Sequence, residues 1–199
     1  MNYKKILTAV AILFLTACGG GSSDSGSGEL AGAGAITRVV AIGDSFGTGF
    51  GLATPWPTRL QSALGVTVVN NSVDGRETPE GLALIESLIN SENPSHVVIL
   101  LGTNDAIRGS VPNAISNLQA MVNIANANEV IVIVGTIAPI TRSASEDARA
   151  ADISAGIQGL SGARIADIRA NITPDLIVDG IHPGDAGQQI ITDVIQAQF

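Results

Sequence analysis

Five short runs of apolar, mostly β-branched residues constrain the fold of this chain more than any other feature of its sequence. They are residues 39–42, 66–69, 97–101, 130–134 and 165–168. The runs lack the alternation of apolar and polar residues that is typical of a strand with one face in water. Strands buried on both faces have this composition, and they occur almost only in parallel sheets. The runs therefore predict five strands of a buried parallel sheet.

Segments with apolar residues at helical spacing lie between and after these runs. Their apolar stripes are Leu82, Ile85 and Ile89; Ile115, Leu118 and Val122; and Ile190, Ile191, Val194 and Ile195. Alternating strands and helices are typical of βαβ units, which predicts a three-layer α/β domain. In such domains the ligand site lies beyond the carboxyl ends of the strands, so the segments at that edge of the sheet are the candidates for a functional site.

Charge and side-chain chemistry exclude several function classes. The 199 residues include 10 basic and 18 acidic side chains, and both lysines, Lys4 and Lys5, lie at the start. Without a basic face we expect no nucleic-acid partner, and without a later lysine there is no Walker-type phosphate loop. The one cysteine, Cys18, excludes an intramolecular disulfide, and the two histidines argue against a multi-histidine metal site. We expect neither a metal nor another cofactor.

Four polar segments are predicted at the same edge of the sheet. Three of them, residues 43–47 (GDSFG), 70–75 (NNSVDG) and 102–105 (GTND), follow the first three runs, and the fourth, residues 179–183 (DGIHP), precedes the last helix. Each segment alone has an ordinary interpretation as a helix cap or a turn. Their convergence on one edge favours a functional interpretation.

These segments together supply the groups of a serine hydrolase. Ser45 is a poor nucleophile without a base, which His182 can be. Asp179, three residues earlier, can orient that imidazole and stabilise its cation. Attack on an ester creates an oxyanion, for which the backbone N–H groups of Ser45 and Gly75 and the amide of Asn104 are candidate donors.

The four segments resemble the four sequence blocks of the SGNH hydrolases, also called the GDSL family. Ser45, Gly75, Asn104 and His182 match the four residues that name the family, and Asp179 matches its acid. The chain is most similar to the small bacterial branch of thioesterases, arylesterases and lysophospholipases. The resemblance implies a flavodoxin-like sheet of order 2-1-3-4-5 and metal-free hydrolysis through an acyl-enzyme. One departure is the Arg76-Glu77 pair, which adds a residue after Gly75 in a loop that shapes the acyl pocket.

Two other motifs compete with this interpretation. Residues 43–47 also fit the G-x-S-x-G elbow of α/β-hydrolases, but that elbow follows several strands, whereas Ser45 follows the first. Residues 47–51 imitate a dinucleotide fingerprint, but Leu52 stands where the third glycine belongs and no acid ends the second strand.

Several further polar positions receive expectations of their own. His96 is expected to be structural, Asp105 to support the turn that carries Asn104, and Arg108 to lie in a solvated loop. Residues 139–152 form a long polar segment, for which a mobile lid and an ordinary loop remain equal alternatives.

Three function classes remain open. The first is hydrolysis of acyl esters or thioesters, including lysophospholipids. The second is carbohydrate O-deacetylation, against which the scarcity of aromatic residues speaks, since sugar sites often use aromatic faces. The third is a non-catalytic lipoprotein, against which the complete set of Ser45, Asp179, His182 and Asn104 speaks.

The N-terminus has the pattern of an export signal. Residues 1–17 combine two lysines with a ten-residue apolar stretch, too short to span a bilayer. The sequence LTAC at residues 15–18 resembles a bacterial lipobox, which implies cleavage before Cys18 and its lipidation; a plain secreted protein is the alternative. Residues 18–35 then form a Gly/Ser/Ala tether and residues 36–199 the folded domain. We expect a monomer anchored to the outer membrane and facing the periplasm.

Overall fold

The computed structural model describes residues 35–199; the export signal, Cys18 and nearly all of the tether lie outside them. The elements run in the order β1 (Arg38–Gly43), α1 (Ser45–Thr48), α2 (Trp56–Leu64), β2 (Thr67–Ser72), α3 (Thr78–Glu92), β3 (His96–Leu100), α4 (Thr103–Arg108), α5 (Val111–Ala127), β4 (Ile131–Gly135), α6 (Ala144–Gln158), β5 (Arg164–Ala166), α7 (Ile168–Asn171), a short 3-10 helix (Pro174–Leu176) and α8 (Asp185–Gln196).

The five strands form one sheet of order β2-β1-β3-β4-β5, and every neighbouring pair is parallel. Alternate side chains of β1 enter two apolar layers. Val40 and Ile42 pack with α3, α5 and α6 on one face, whereas Val39 and Ala41 pack with α2 and α8 on the other. The predicted three-layer fold, with its five strands in the order 2-1-3-4-5, is confirmed.

Two strands end more than one residue away from the end of the predicted run. β2 continues through Asn70 and Asn71 to Ser72, because it is an edge strand that pairs only with β1, so polar residues there still reach water. β5 ends at Ala166, and Ile168 instead begins α7. Asp167 separates the two elements and caps α7 by accepting a hydrogen bond from Ala170 N–H. The apolar residues on both sides of Asp167 had suggested one continuous strand.

Most of the segment proposed as a loop or a lid is helical. α6 begins at Ala144, so only Pro139 to Ser143 of the polar segment are irregular. Ser143 caps the helix by accepting from Glu146 N–H, and Asp147 accepts a hydrogen bond from Ile140 N–H. The polar residues of this segment thus form a helix start and a solvated helix face.

Within residues 35–199, none of the helices combines the length and apolar character that crossing a bilayer requires.

Candidate active site

Ser45 lies at the first position of α1, directly beyond the carboxyl end of β1. Asp44 caps this short helix, since its carboxylate accepts a hydrogen bond from Phe46 N–H at 3.0 Å. The backbone N–H groups in the first turn of a helix have no acceptor within the helix, so Ser45 N–H is available to a ligand. Gly47 allows α1 to lie against β2, because a Cβ there would meet Ser72 Oγ at 2.0 Å.

Asp179 and His182 lie in the loop between the 3-10 helix and α8. Asp179 Oδ1 accepts hydrogen bonds from Ile181 N–H at 3.1 Å and His182 N–H at 2.8 Å. This local turn is held by Val178 N–H, which donates to the His182 carbonyl, and by Thr141 N–H, which donates to Gly180. The two functional side chains are therefore placed by the turn that Asp179 itself organises.

A chain of hydrogen bonds connects the three predicted catalytic side chains. Ser45 Oγ lies 2.8 Å from His182 Nε2, and His182 Nδ1 lies 2.7 Å from Asp179 Oδ2. With an ionised Asp179, Nδ1 carries the proton and donates it, which leaves Nε2 free to accept the proton of the serine hydroxyl. The fold thus brings together residues that lie 137 positions apart in the chain.

The electrostatic environment keeps Asp179 ionised. Partial burial acts to raise the pKa of its carboxyl, but the hydrogen bonds from the His182 backbone, the His182 ring and Ile181 N–H outweigh it. The pKa of Asp179 therefore lies below its ordinary value. A carboxylate that stays charged can hold the neutral imidazole in one tautomer and stabilise its cation.

Gly75 occupies a tight turn beside α1. Arg76 N–H donates to the Val73 carbonyl at 3.1 Å, and Gly75 has a φ of 78°. This is the third position of a turn that requires a left-handed residue, so glycine is favoured there. The turn is tied to α1 through Thr48, whose hydroxyl donates to Asp74.

Asn104 is the second residue of α4 and lies beside the Gly75 turn. Its side-chain amide donates to the Arg76 carbonyl at 3.1 Å and approaches Asp44 Oδ2 at 3.5 Å. Neighbouring Asp105 is buried and accepts hydrogen bonds from Thr78 N–H and the Thr78 hydroxyl. Asp105 thereby ties the start of α3 to α4, beside the Asn104 amide.

The Arg76 side chain stabilises the backbone next to the Gly75 turn. Sequence reasoning noted this residue only as a departure from the family pattern. Its guanidinium is nearly buried and donates to the Asn71 carbonyl, to Asn71 Oδ1 at 3.1 Å and to the Gly43 carbonyl at 3.4 Å. Burial lowers the pKa of Arg76, partly offset by Glu80 and Asp44. The side chain satisfies carbonyls at the carboxyl ends of β1 and β2, next to Gly75.

Two further polar residues occupy structural positions. His96 begins β3 at the amino-terminal end of the strands, away from Ser45, and its ring contacts Ser95 and Phe199. Arg108 was expected in a solvated loop but is the last residue of α4. It is half exposed, pairs with Glu77 and donates to the Gly75 carbonyl at 3.3 Å. Arg108 therefore braces the outside of the Gly75 turn.

Phe50 is a site residue that sequence reasoning missed. Its ring stacks on the His182 imidazole with centroids 3.9 Å apart and planes inclined by 13°. The only local signal was an aromatic residue between two glycines, Gly49 and Gly51, shortly after the serine.

Among residues 35–199, the structure contains no cluster of three or more His, Cys, Asp or Glu side chains arranged to hold a metal ion.

Comparison with known proteins identifies the family. The sequence model of the GDSL-like Lipase/Acylhydrolase family matches residues 41–190. The chain therefore belongs to this family. The resemblance to SGNH hydrolases of the small bacterial esterase branch is confirmed.

Individual relatives agree with this membership. The chain is 36% identical to an arylesterase of Vibrio mimicus over 85 residues, and 38% identical to Esterase TesA of Pseudomonas aeruginosa over 85 residues. Each match covers 39% of this chain and 42% of the relative's length. The crystal structure of a member of the lipolytic protein G-D-S-L family from Veillonella parvula has a TM-score of 0.72 at 17% identity, covering 82% of this chain and 98% of that one. At that identity the likeness shows the fold.

Proposed function

We propose that this protein is a serine esterase that hydrolyses carboxylic acyl esters or thioesters. The observation that carries the proposal is the hydrogen-bond chain from Ser45 Oγ through His182 to Asp179, with distances of 2.8 and 2.7 Å. A serine gains nucleophilic reactivity from such a base, and the base is in turn oriented by a third group. Family membership supports the same reaction class.

The proposed reaction has two halves. His182 Nε2 accepts the proton of Ser45 as Oγ bonds to the acyl carbon, and then donates it to the departing alcohol or thiol. Water attacks the resulting acyl-enzyme, His182 accepts a proton from that water, and the carboxylic acid leaves as the proton returns to Ser45. Asp179 keeps Nδ1 protonated and stabilises the imidazolium in both halves.

Three donors are proposed for the oxyanion. They are the backbone N–H of Ser45 at the start of α1, the N–H of Gly75 in its tight turn and the side-chain amide of Asn104. The helix start, the left-handed φ of Gly75 and the position of Asn104 beside the Gly75 turn support this set. Loss of one such donor typically raises the barrier by about 3 kcal/mol.

An apolar acyl group is the proposed specificity. The exposed large hydrophobic residues of the described chain are Phe50, Leu52, Val73 and Val178. Phe50 stacks on His182, Val73 begins the Gly75 turn and Val178 precedes Asp179. Apolar side chains exposed around a reaction centre favour a substrate with hydrocarbon to bury, which includes lysophospholipids.

The decisive experiment is hydrolysis of p-nitrophenyl esters from acetyl to palmitoyl by residues 36–199, with Ser45→Ala as the matched control. We expect turnover that peaks at medium or long chains and disappears in Ser45→Ala without a change in melting temperature. Activity restricted to acetyl esters would instead favour carbohydrate O-deacetylation. No turnover above the Ser45→Ala control at any chain length would make the non-catalytic lipoprotein the better interpretation, whereas full activity in Ser45→Ala would show that Ser45 is not the nucleophile.

We also propose that the enzyme is a monomer held at the outer membrane, facing the periplasm, by a lipid on Cys18. The support is the lipobox-like sequence at residues 15–18 and the tether that follows. Expression of the full chain in a Gram-negative bacterium should yield an N-terminal peptide beginning at Cys18 with the added mass of diacylglycerol and acyl groups. The Cys18→Ala chain should lack that mass and leave the membrane fraction; an unmodified wild-type peptide would contradict the proposal.

A further inference from the structure

The contact between Phe50 and His182 has an unusual backbone origin. Phe50 has a φ of 47°, and the flanking Gly49 and Gly51 have φ values of 78° and 69°. Three consecutive residues therefore adopt left-handed backbone conformations. Glycine does so freely, but a bulky aromatic residue does so at a cost in free energy.

Phe50 differs in its surroundings from the other described non-glycine residues that have a positive φ. The other described non-glycine residues with positive φ are Asn93 and Glu129. Asn93 is the C-cap of α3, and Glu129 follows the C-cap of α5, where left-handed residues are common. Phe50 also follows a C-cap, Gly49 of the four-residue α1, but it is a bulky aromatic residue. It is 46% exposed, so burial in the core does not account for its strained conformation. Strain of this kind, when retained, is often found at functional sites.

The two hydrogen bonds of the His182 imidazole leave one rotation of the ring unconstrained. Asp179 holds Nδ1 and Ser45 contacts Nε2, so the two hydrogen bonds lie roughly along one line through the ring. The ring could still tilt about that line. Phe46 approaches at an interplanar angle of 63° with centroids 6.0 Å apart, whereas Phe50 covers a ring face at van der Waals distance.

We propose that Phe50 is a positioning residue, which the left-handed turn at residues 49–51 presses against one face of His182 so that the imidazole stays aligned with Ser45 Oγ. The inference rests on the proposed function. The aromatic face also lies against the imidazolium that forms while the proton is in transit, and a cation over an aromatic face is stabilised. Phe50 thus acts through His182 and takes no part in bond making.

The test compares the conservative substitution Phe50→Tyr with Phe50→Leu, which keeps an apolar side chain but removes the aromatic face. We expect Phe50→Tyr to retain the wild-type kcat for a short p-nitrophenyl ester and Phe50→Leu to lose about tenfold, the factor expected from a modest cation–π contact. A wild-type kcat in Phe50→Leu would overturn the inference.

A second pair of variants separates positioning from stability. Phe50→Gly relieves the left-handed strain and removes the ring, while Glu129→Gly relieves similar strain far from the site. We expect both to melt within about 2 °C of wild type or above it, with kcat lowered only in Phe50→Gly. Parallel losses of melting temperature and kcat in Phe50→Gly would assign Phe50 a purely structural role.

Nuclear magnetic resonance tests the stack without reference to turnover. The chain has two histidines, and His182→Asn assigns their ring signals. We expect the His182 ring protons to be shifted upfield by the Phe50 ring in wild type and Phe50→Tyr, but not in Phe50→Leu. Identical shifts in all three proteins would show that the Phe50 ring does not stack on the His182 ring. Absence of Ser45-dependent turnover in wild type would overturn the proposed function, and the ring-proton shifts would still decide the stack.

Discussion

Asp44 places an ionisable carboxyl beside the proposed nucleophile, where almost no water reaches it. Its side chain is 1% exposed. Burial raises its pKa to about 7, although hydrogen bonds from Phe46 N–H and the Thr103 hydroxyl act in the opposite direction. The same carboxyl both caps α1 and approaches the Asn104 amide. Its protonation is therefore coupled to folding.

This coupling predicts that Asp44→Asn stabilises the protein increasingly as the pH rises. Between about pH 4 and pH 7 the unfolded chain loses the Asp44 proton while the folded chain keeps it, so the free energy of unfolding falls across this window. Asparagine can still cap α1 but does not titrate. The stability advantage of the variant should therefore grow by about 2–3 kcal/mol between pH 5 and pH 8. Urea unfolding measures it, and equal differences at the two pH values would contradict it.

Asp179 is expected to act mainly through the tautomer of His182. In Asp179→Asn the side-chain oxygen can still accept from the Ile181 and His182 N–H groups, so the loop should fold. The amide NH2 would then face Nδ1 and favour the tautomer with the proton on Nε2, which cannot act as the base. We expect kcat to fall by roughly three to four orders of magnitude, measured with the wild-type ester series.

An Asp179→Glu chain is the matched control for that prediction, since it keeps the charge but displaces it. It should lose less activity than Asp179→Asn if the charge and tautomer matter more than the placement of the oxygen. A larger loss in Asp179→Glu would show that the placement dominates.

At the scale of elements, α1 and β2 are packed so closely that only glycine fits between them. In Gly47→Ala the new Cβ would lie 2.0 Å from Ser72 Oγ and 2.7 Å from Ser72 Cβ. The hydroxyl can rotate away, but Cβ cannot, so α1 must shift together with Ser45. We expect a loss of about 1–3 kcal/mol in the free energy of unfolding and a lower kcat.

The double variant Gly47→Ala/Ser72→Gly tests the cause. Ser72 Oγ is buried without a hydrogen-bond partner in the described structure, so removing the side chain breaks no polar contact. Stability and kcat should recover part of their loss in the double variant. Additive losses would show that the two positions do not interact.

Arg76 links three elements at the same edge of the sheet. Its guanidinium is the donor for carbonyls of Gly43 and Asn71, and its own carbonyl accepts from Asn104. In Arg76→Met, which keeps most of the apolar stem, the Asn71 carbonyl loses the guanidinium donor, while the Gly43 carbonyl keeps the hydrogen bond from Val73 N–H at 3.2 Å. We expect a destabilisation of about 1–3 kcal/mol and a lower kcat, measured by urea unfolding and ester hydrolysis.

At the scale of the molecule, negative charge exceeds the positive charge available to oppose it. Residues 36–199 contain eight arginines and no lysine. Arg38, Arg59, Arg108, Arg142 and Arg169 form ion pairs with carboxylates. Arg76, Arg149 and Arg164 donate to backbone carbonyls. The remaining carboxylates repel one another through water, and salt screens that repulsion.

We therefore expect the melting temperature of residues 36–199 to rise between 0.05 and 1 M NaCl. Exposed ion pairs contribute little to stability, so their weakening by salt should not cancel the gain. Thermal unfolding across the salt series measures the effect, and KCl should reproduce it if screening is the cause. A constant or falling melting temperature would contradict the role of self-repulsion.

The sequence alone determined the elements and the chemistry. Buried strands are recognisable because their residues are apolar on both faces, and turns because glycine and short polar residues favour them. Placing Ser45 and Asn104 at one sheet edge needed only the rule that the carboxyl ends of parallel strands coincide. Asp179 and His182 follow no strand directly, and their position just before the last helix placed them at the same edge. At Asp167 the apolar pattern predicted a continuing strand, but this residue caps α7, so the predicted strand boundary was wrong.

Tertiary structure decided the geometry. The distance between Ser45 and His182 depends on how α1 and the Asp179 loop pack across 137 residues of chain. The stack of Phe50 on His182, the burial of Asp44 and the contact of Arg76 with the Gly43 carbonyl likewise depend on neighbours far away in sequence. Local patterns report what each segment prefers, whereas burial, distance and pKa are properties of contacts that exist only once the segments have packed.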